Sequence, residues 1–153
     1  MPDIVDAATR SRMMAGIRNK NTRPEIALRK ALHRRGFRYG LHSPDVPGKP
    51  DLVFRSRRAA IFVHGCFWHG HDCPLFRLPS TRPEFWGNKI AGNRKRDELV
   101  KEQLADLGWR QLVIWECATR GKGADSLDAV ADRAASWLES GKRSADIRGA
   151  KWH

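Results

Sequence analysis

Apolar positions along the chain follow two periods and so predict two kinds of element. Thr22-Arg-Pro-Glu25 reads as a helix start: Thr22 can cap, Pro24 suits the first turn and Glu25 sits at the capping-box position. Ile26, Leu28 and Leu32 continue at helical spacing until Gly36 stops the helix. Phe37–Leu41 reads as a short strand, and Pro44 to Pro50 as a loop. Two β-rich runs follow, Asp51–Phe54 and Ala59–Val63, joined by a tight turn at Arg55–Arg58, which predicts a hairpin. Gly65 to Pro83 has no period and predicts a long loop, the kind that carries function or a metal. A helix is expected from Pro83 to about Leu107, with Gly92 a point where it could break and Gly108 as its stop. Trp109–Trp115 reads as a buried strand and Ser126–Glu139 as a final amphipathic helix.

The order helix, three strands, helix, strand, helix predicts an α/β sandwich around a mixed sheet. Upstream, residues 1–22 read as a helical arm in which Thr9 caps a short helix carrying Met13, Met14 and Ile17. Residues 23–140 form the expected core, and 141–153 a basic tail. A chain of 153 residues supports one such core.

Charge adds the first functional constraint. Lys and Arg number 29 against 17 acids, a net +12, so polyanions with phosphate backbones are the expected partners. No segment reads as a bilayer span, a secretory signal or a strongly amphipathic basic helix, so a cytoplasmic protein without membrane contact is expected.

The loop carries the chemistry. Cys66, His71 and Cys73 follow the spacing Cys-x4-His-x-Cys, and Cys117 is the remaining cysteine. Three thiolates and one imidazole make a closed, structural Zn²⁺ site with no open position for water. Spacing alone leaves His69 and Asp72 as alternative ligands, and free core cysteines are the plainer reading. Asp51 opens a strand near the end of its neighbour at Val63-His64, where a carboxylate can hold Mg²⁺; after Pro50 it also reads as a turn residue. His64 and His69 can transfer protons near neutral pH. Phe67, Trp68 and Trp86 are large aromatics in or beside the loop that could wedge into a base stack, whereas Trp109, Trp115 and Trp137 read as core. Lys89 and Asn93 share one helical face near Trp86 and could reach base edges.

These residues are similar to those of a known family. The stretches ATRSRMMAGIRNKNTRPE, PGKPDLVF, IFVHGCFWHGHDCPLFRLPSTRPEFWGNKI, NRKRD and LGWRQLVIWECATRG resemble the bacterial very-short-patch-repair (Vsr) endonucleases over roughly residues 6–140. The resemblance implies a restriction-endonuclease-like fold. It also implies Mg²⁺-dependent nicking of double-stranded DNA 5′ of the thymine in a T:G mismatch that arises from deaminated 5-methylcytosine. Asp51 then matches the magnesium carboxylate and Val63 a position lending its backbone carbonyl to the metal. His69 matches the histidine that activates water, Glu25 the acid that supports it, and His64 with Asp97 a second catalytic pair. Phe67, Trp68 and Trp86 match intercalating aromatics, and Met14 and Ile17 the arm entering the opposite groove. Lys89 and Asn93 match contacts to the mismatched pair, and Cys66, His71, Cys73 and Cys117 the zinc ligands. A monomer with a functional link to a cytosine-5 DNA methyltransferase is implied. Val63 stands where a Thr is familiar, and Gly70 and Asp72 lie in a stretch that is often richer in His. Two other readings compete: a nickase of the same fold acting on fully paired sites, and a catalytically silent, zinc-stabilised DNA-binding module.

Overall fold

The computed structural model describes residues 23–73, 75–120 and 124–149. The arm residues Met14 and Ile17, and the capping role of Thr22, lie outside that set.

The first helix, α1 (Arg23–Arg34), begins at the expected place with Glu25 in its first turn. Strands β1 (Gly40–Leu41), β2 (Leu52–Phe54) and β3 (Ala59–His64) follow. Between β2 and β3, Arg55–Arg57 forms one turn of 3₁₀ helix, and Arg58 closes it in the left-handed region (φ 48°). Helix α2 (Pro83–Asp106) is continuous. Gly92 does not break it, since one glycine costs only about 1 kcal/mol in a helix. Strand β4 (Arg110–Trp115), helix α3 (Leu127–Glu139) and strand β5 (Ser144–Ile147) complete the described fold. Ser126 caps α3 by accepting from Ala129 N.

The sheet runs β1-β2-β3-β4-β5, with β1/β2 and β2/β3 antiparallel and β3/β4 and β4/β5 parallel. The mixed α/β architecture matches the pattern reading. One strand was not anticipated: β5 lies in the segment expected to be a tail. Its four residues, Ser-Ala-Asp-Ile, are mostly polar or small and exposed, so hydrophobic alternation gives almost no signal there.

Side chains alternate across the sheet with the two-residue period of strands. Leu52, Phe54, Ile61, Leu112 and Ile114 face one side and pack with Leu28 and Leu32 of α1 and Val130, Ala134 and Trp137 of α3. Val53, Phe62 and Val113 face the other and pack with Leu104 of α2. Three layers result, α1 and α3 on one face and α2 on the other. Among the described residues no helix is long and apolar enough to cross a membrane.

Strand register decides what meets at the carboxyl ends. His64 pairs with Trp115 across the parallel β3/β4 ladder. Cys66 and Cys117 each lie two residues further on, so adjacent parallel strands deliver both cysteines to the same place. Asp51 immediately precedes β2, which pairs antiparallel with β3 through Leu52 and Ile61. All three chemical groups therefore cluster at one end of the sheet.

Candidate functional site

The four residues chosen for zinc converge. Cys66, His71, Cys73 and Cys117 each offer a ligand atom, all within 4.8 Å of one another. His71 Nδ1 lies 3.5 Å from Cys66 Sγ and 3.6 Å from Cys117 Sγ. Ligands of a tetrahedral zinc with bonds of about 2.0–2.3 Å are separated by roughly 3.5–3.8 Å, so the donor set fits that ion. Backbone amides support the thiolate form: Cys117 N donates to Cys66 Sγ (3.3 Å) and Gly149 N to Cys117 Sγ (3.4 Å). Burial, with the neighbouring sulfurs, pushes the Cys66 thiol well above its ordinary range, and burial pushes Cys117 up as well. Three crowded thiols stay protonated unless a cation replaces their protons. Burial also lowers the His71 pKa, with Arg148 adding to the effect, which favours the neutral imidazole that ligates. Trp115 stacks on His71 with centroids 4.0 Å apart.

The alternative ligands go elsewhere. His69 Nδ1 is 2.6 Å from Asp97 Oδ2. The Asp72 carboxylate is 84% exposed and meets Arg148, with Nη1 to Oδ1 at 3.0 Å and Nη2 to the Asp72 carbonyl at 3.1 Å. Asp72 Oδ1 lies 3.7 Å from His71 Nε2, on the far side of the ring from the sulfurs. Residues after β5 thus reach back to the metal loop through Arg148 and Gly149. Substituting Arg148→Ala is expected to speed metal release to a chelator about tenfold, the usual scale for groups that orient a ligand, while shifting stability little. A release rate equal to wild type contradicts that role.

Gly70 shows how tightly the loop is held. Its φ is +61°, and a Cβ there would lie 2.7 Å from Ile90 Cγ2 and 2.9 Å from Arg94 Cδ of α2. Only glycine permits this approach, which accounts for its place in a loop otherwise rich in His.

The catalytic candidates form two clusters, and their partners differ from those implied by the resemblance. His64, His69 and Asp97 form one. Asp97 pairs with His69 rather than His64, because α2 runs beside the loop and presents Asp97 to it. His64 stacks on His69 with centroids 3.7 Å apart and planes 3° from parallel, and meets Trp115 edge-on. Burial, then the neighbouring His69 and His71, hold the His64 pKa well below its ordinary value, so His64 is neutral.

Glu25 belongs to the second cluster, with His42 and Asp51, and not with His69. It is 1% exposed on α1, which covers the opposite face of the sheet from α2. Asp51 Oδ2 accepts from Val63 N at 2.6 Å, fixing the carboxylate beside the Val63 backbone. Burial first, and the nearby Glu25 carboxylate, raise the Asp51 pKa to about 7. Two carboxylates held together out of water form a site that favours a cation. Pattern reasoning passed over His42, which lies in a turn without motif context; its signal is only that it is one of six histidines.

The aromatics also gather. Phe67 and Trp68 rings are 5.0 Å apart, and Trp86 lies 5.7 Å from Phe67 and 5.8 Å from Trp68. Phe76 and Phe85, missed in the sequence, extend the group against Phe67 and Trp86. Trp68 is only 9% exposed, whereas Phe67 and Trp86 are partly exposed. Asn93 Nδ2 donates to the Trp68 carbonyl at 2.8 Å and its Oδ1 accepts from Arg96 Nη1 at 3.2 Å, so its amide holds the loop. Lys89 is partly exposed one turn earlier on α2.

Comparison with known proteins places the chain in a family. Residues 2–75 match the family model described as DNA mismatch endonuclease Vsr. The chain is 42% identical over 147 residues to the DNA mismatch endonuclease Vsr of Escherichia coli (strain K12), covering 96% of this chain and 94% of that protein. It is 48% identical over 124 residues to the type II nicking enzyme V.XorIIP of Xanthomonas oryzae pv. oryzae, covering 81% and 91% respectively. A further relative, the type II nicking enzyme V.NmeAIP of Neisseria meningitidis serogroup A, is 38% identical over 122 residues. With a named Vsr endonuclease similar along nearly its whole length, the chain belongs to the Vsr family of DNA mismatch endonucleases and is a nuclease.

Proposed function

We propose that this nuclease nicks one strand of duplex DNA 5′ of the thymine in a T:G mismatch left by deamination of 5-methylcytosine, using Mg²⁺ at Asp51 and a structural Zn²⁺ in the cysteine-histidine cluster. One observation carries the reading: a single short loop bears three of the four clustered cysteine and histidine residues, Phe67 and Trp68 of the aromatic group, and His69, which meets Asp97 of α2. The partly exposed Phe67 and Trp86 are the leading edge of a wedge, with Trp68 behind them and exposed further as bases part. A mismatched step unstacks at lower cost than a paired one, which gives the wedge a basis for selection.

His69 is the general base. Asp97 accepts from Nδ1–H, which leaves Nε2 with a lone pair to take a proton from water. His64, neutral and stacked on that ring, fixes its plane. Glu25 and Asp51 supply the carboxylates and Val63 a carbonyl for a bound Mg²⁺, which would stabilise charge building on the phosphate. Lys89 faces the mismatched pair, Asn93 steadies the wedge, and Met14 and Ile17 of the arm enter the opposite groove. The +12 charge supplies sequence-independent attraction to the duplex. Such a role is consistent with a monomer working in the cytoplasm alongside a cytosine-5 methyltransferase.

The raised Asp51 pKa gives a pH prediction. A proton on Asp51 stabilises the metal-free fold at acid pH, and this contribution is lost as pH rises from about 4 to about 7. Mg²⁺ needs the ionised form, so its affinity is expected to fall roughly tenfold between pH 6 and pH 5 and to level off above about pH 8. Calorimetric titration of Mg²⁺ across that range checks the slope, and a flat profile contradicts it.

Strand-specific end labels on a T:G duplex test the function. The expected product is one nick, 5′ of the thymine, with the G strand intact. A double-strand break or a cut in the G strand overturns the reading. The second reading, a nickase acting on fully paired sites, is compatible with the relatives named type II nicking enzymes.

A further inference from the structure

Three side chains from separate parts of the chain converge beside the amino end of β2. Glu25 comes from the first turn of α1, His42 from the turn after β1, and Asp51 from the residue before β2. His42 Nε2 lies 3.0 Å from Glu25 Oε2 and 3.6 Å from Asp51 Oδ1. One donor atom from each of the three lies within 4.8 Å of the other two. The His42 nitrogen is buried, yet its close approach to the carboxylates lacks hydrogen-bond alignment. Two carboxylates and an imidazole crowded together out of water are what a shared cation requires. Neighbouring ligands of an octahedral ion with bonds of about 2.1–2.2 Å sit roughly 3 Å apart, close to the spacing here.

The backbone is shaped to the same end. His42 adopts φ 48°, a left-handed conformation that is strained for a non-glycine residue. Its N–H points to the Asp51 carbonyl at 3.4 Å, which ties the turn to the strand start. With its side chain 16% exposed, the imidazole is directed inward at the acids and away from solvent.

We propose that His42 is a third protein ligand of the cation at the Glu25–Asp51 centre, and that its nitrogen donor makes this centre prefer Mn²⁺ to Mg²⁺. The inference rests on Asp51 being the metal carboxylate. Mg²⁺ takes oxygen donors and dehydrates reluctantly, whereas first-row transition ions accept imidazole alongside carboxylate. A site of two carboxylates, a backbone carbonyl and an imidazole is a mixed oxygen-nitrogen set of the second kind.

The test uses the full-length, zinc-loaded chain with Mn²⁺ as the added ion. Mn²⁺ binding is followed by electron paramagnetic resonance, and nitrogen coordination by pulsed detection of ¹⁴N coupling. Wild type is expected to show directly coordinated ¹⁴N. His42→Ala should lose that coupling and bind Mn²⁺ about tenfold more weakly, with Mg²⁺ affinity changed less than about threefold. His42→Gln offers only an amide oxygen, so it should also lose the coupling, and it carries the test if the alanine variant does not fold. Coupling or Mn²⁺ affinity unchanged in the folded variants overturns the proposal. Asp51→Asn separates the two levels. If it binds Mn²⁺ as wild type does, the Asp51 centre itself fails and this inference with it. If it loses Mn²⁺ while the His42 variants keep the coupling, only the role of His42 falls.

Discussion

Asp51→Asn is expected to slow single-turnover nicking of a T:G duplex by about a thousandfold or more, while duplex affinity in the absence of Mg²⁺ stays within a factor of about three. The first figure corresponds to roughly 4 kcal/mol of lost barrier lowering, a reasonable share for a cation that meets the developing charge. The second follows from the attraction to phosphate being spread over the basic surface. Folding is not expected to explain the loss. Burial and Glu25 both oppose ionisation of Asp51, so the metal-free fold loses nothing when that charge is removed, and Asn Oδ1 can still accept from Val63 N. A variant nicking within tenfold of wild type would show that Asp51 is not the metal carboxylate.

Removal of the proposed structural metal is the second large effect expected. Cys117→Ala, or wild type held in strong chelator, is expected to lose its cooperative thermal transition. Structural zinc binding supplies on the order of 10–16 kcal/mol, comparable to the whole stability of a small domain at about 5–15 kcal/mol. Cys117 is fully buried, and it joins the ends of β3 and β4 to the residues after β5 through Cys66 Sγ and Gly149 N. Without the ion, three buried thiols are left crowded beside the ends of β3 and β4. Differential scanning calorimetry beside metal analysis decides the matter. A Cys117→Ala protein that melts at the wild-type temperature and retains one zinc per chain contradicts the proposed ligand set.

Much of this was legible in the sequence because it rests on local signals. Thr22-Arg-Pro-Glu25, the runs around Leu52 and Ile61, and Gly108 announce element boundaries through capping, alternation and turn chemistry. The zinc candidates were visible because Cys66, His71 and Cys73 lie close together and one cysteine remained. What stayed hidden depends on the path of the chain in space. Which acid serves which histidine is set by layers: α1 carries Glu25 to one face and α2 carries Asp97 to the other, and spacing along the chain does not encode that choice. His42 reaches the acids by a left-handed turn at a residue with no motif around it. Strand β5 is polar and short, and its reason to form is the open parallel edge of β4 together with the Arg148–Asp72 contact, neither of which leaves a periodic trace. Asn93 looked like a base reader from its helical face, and only the course of the loop shows its amide spent on Trp68.

The loop that carries Phe67, Trp68, His69 and three of the four clustered cysteine and histidine residues is the centre of the account, which proposes that cutting depends on a weakened base pair. The most direct measurement is the single-turnover nicking rate, with Mg²⁺ at neutral pH, on two duplexes identical except for T:G or T:A at one site. The account predicts rapid nicking of the T:G duplex and a rate at least about a hundredfold lower for T:A, the discrimination that an unstacking cost of a few kcal/mol allows. Equal rates on both duplexes, or none on T:G, would contradict it.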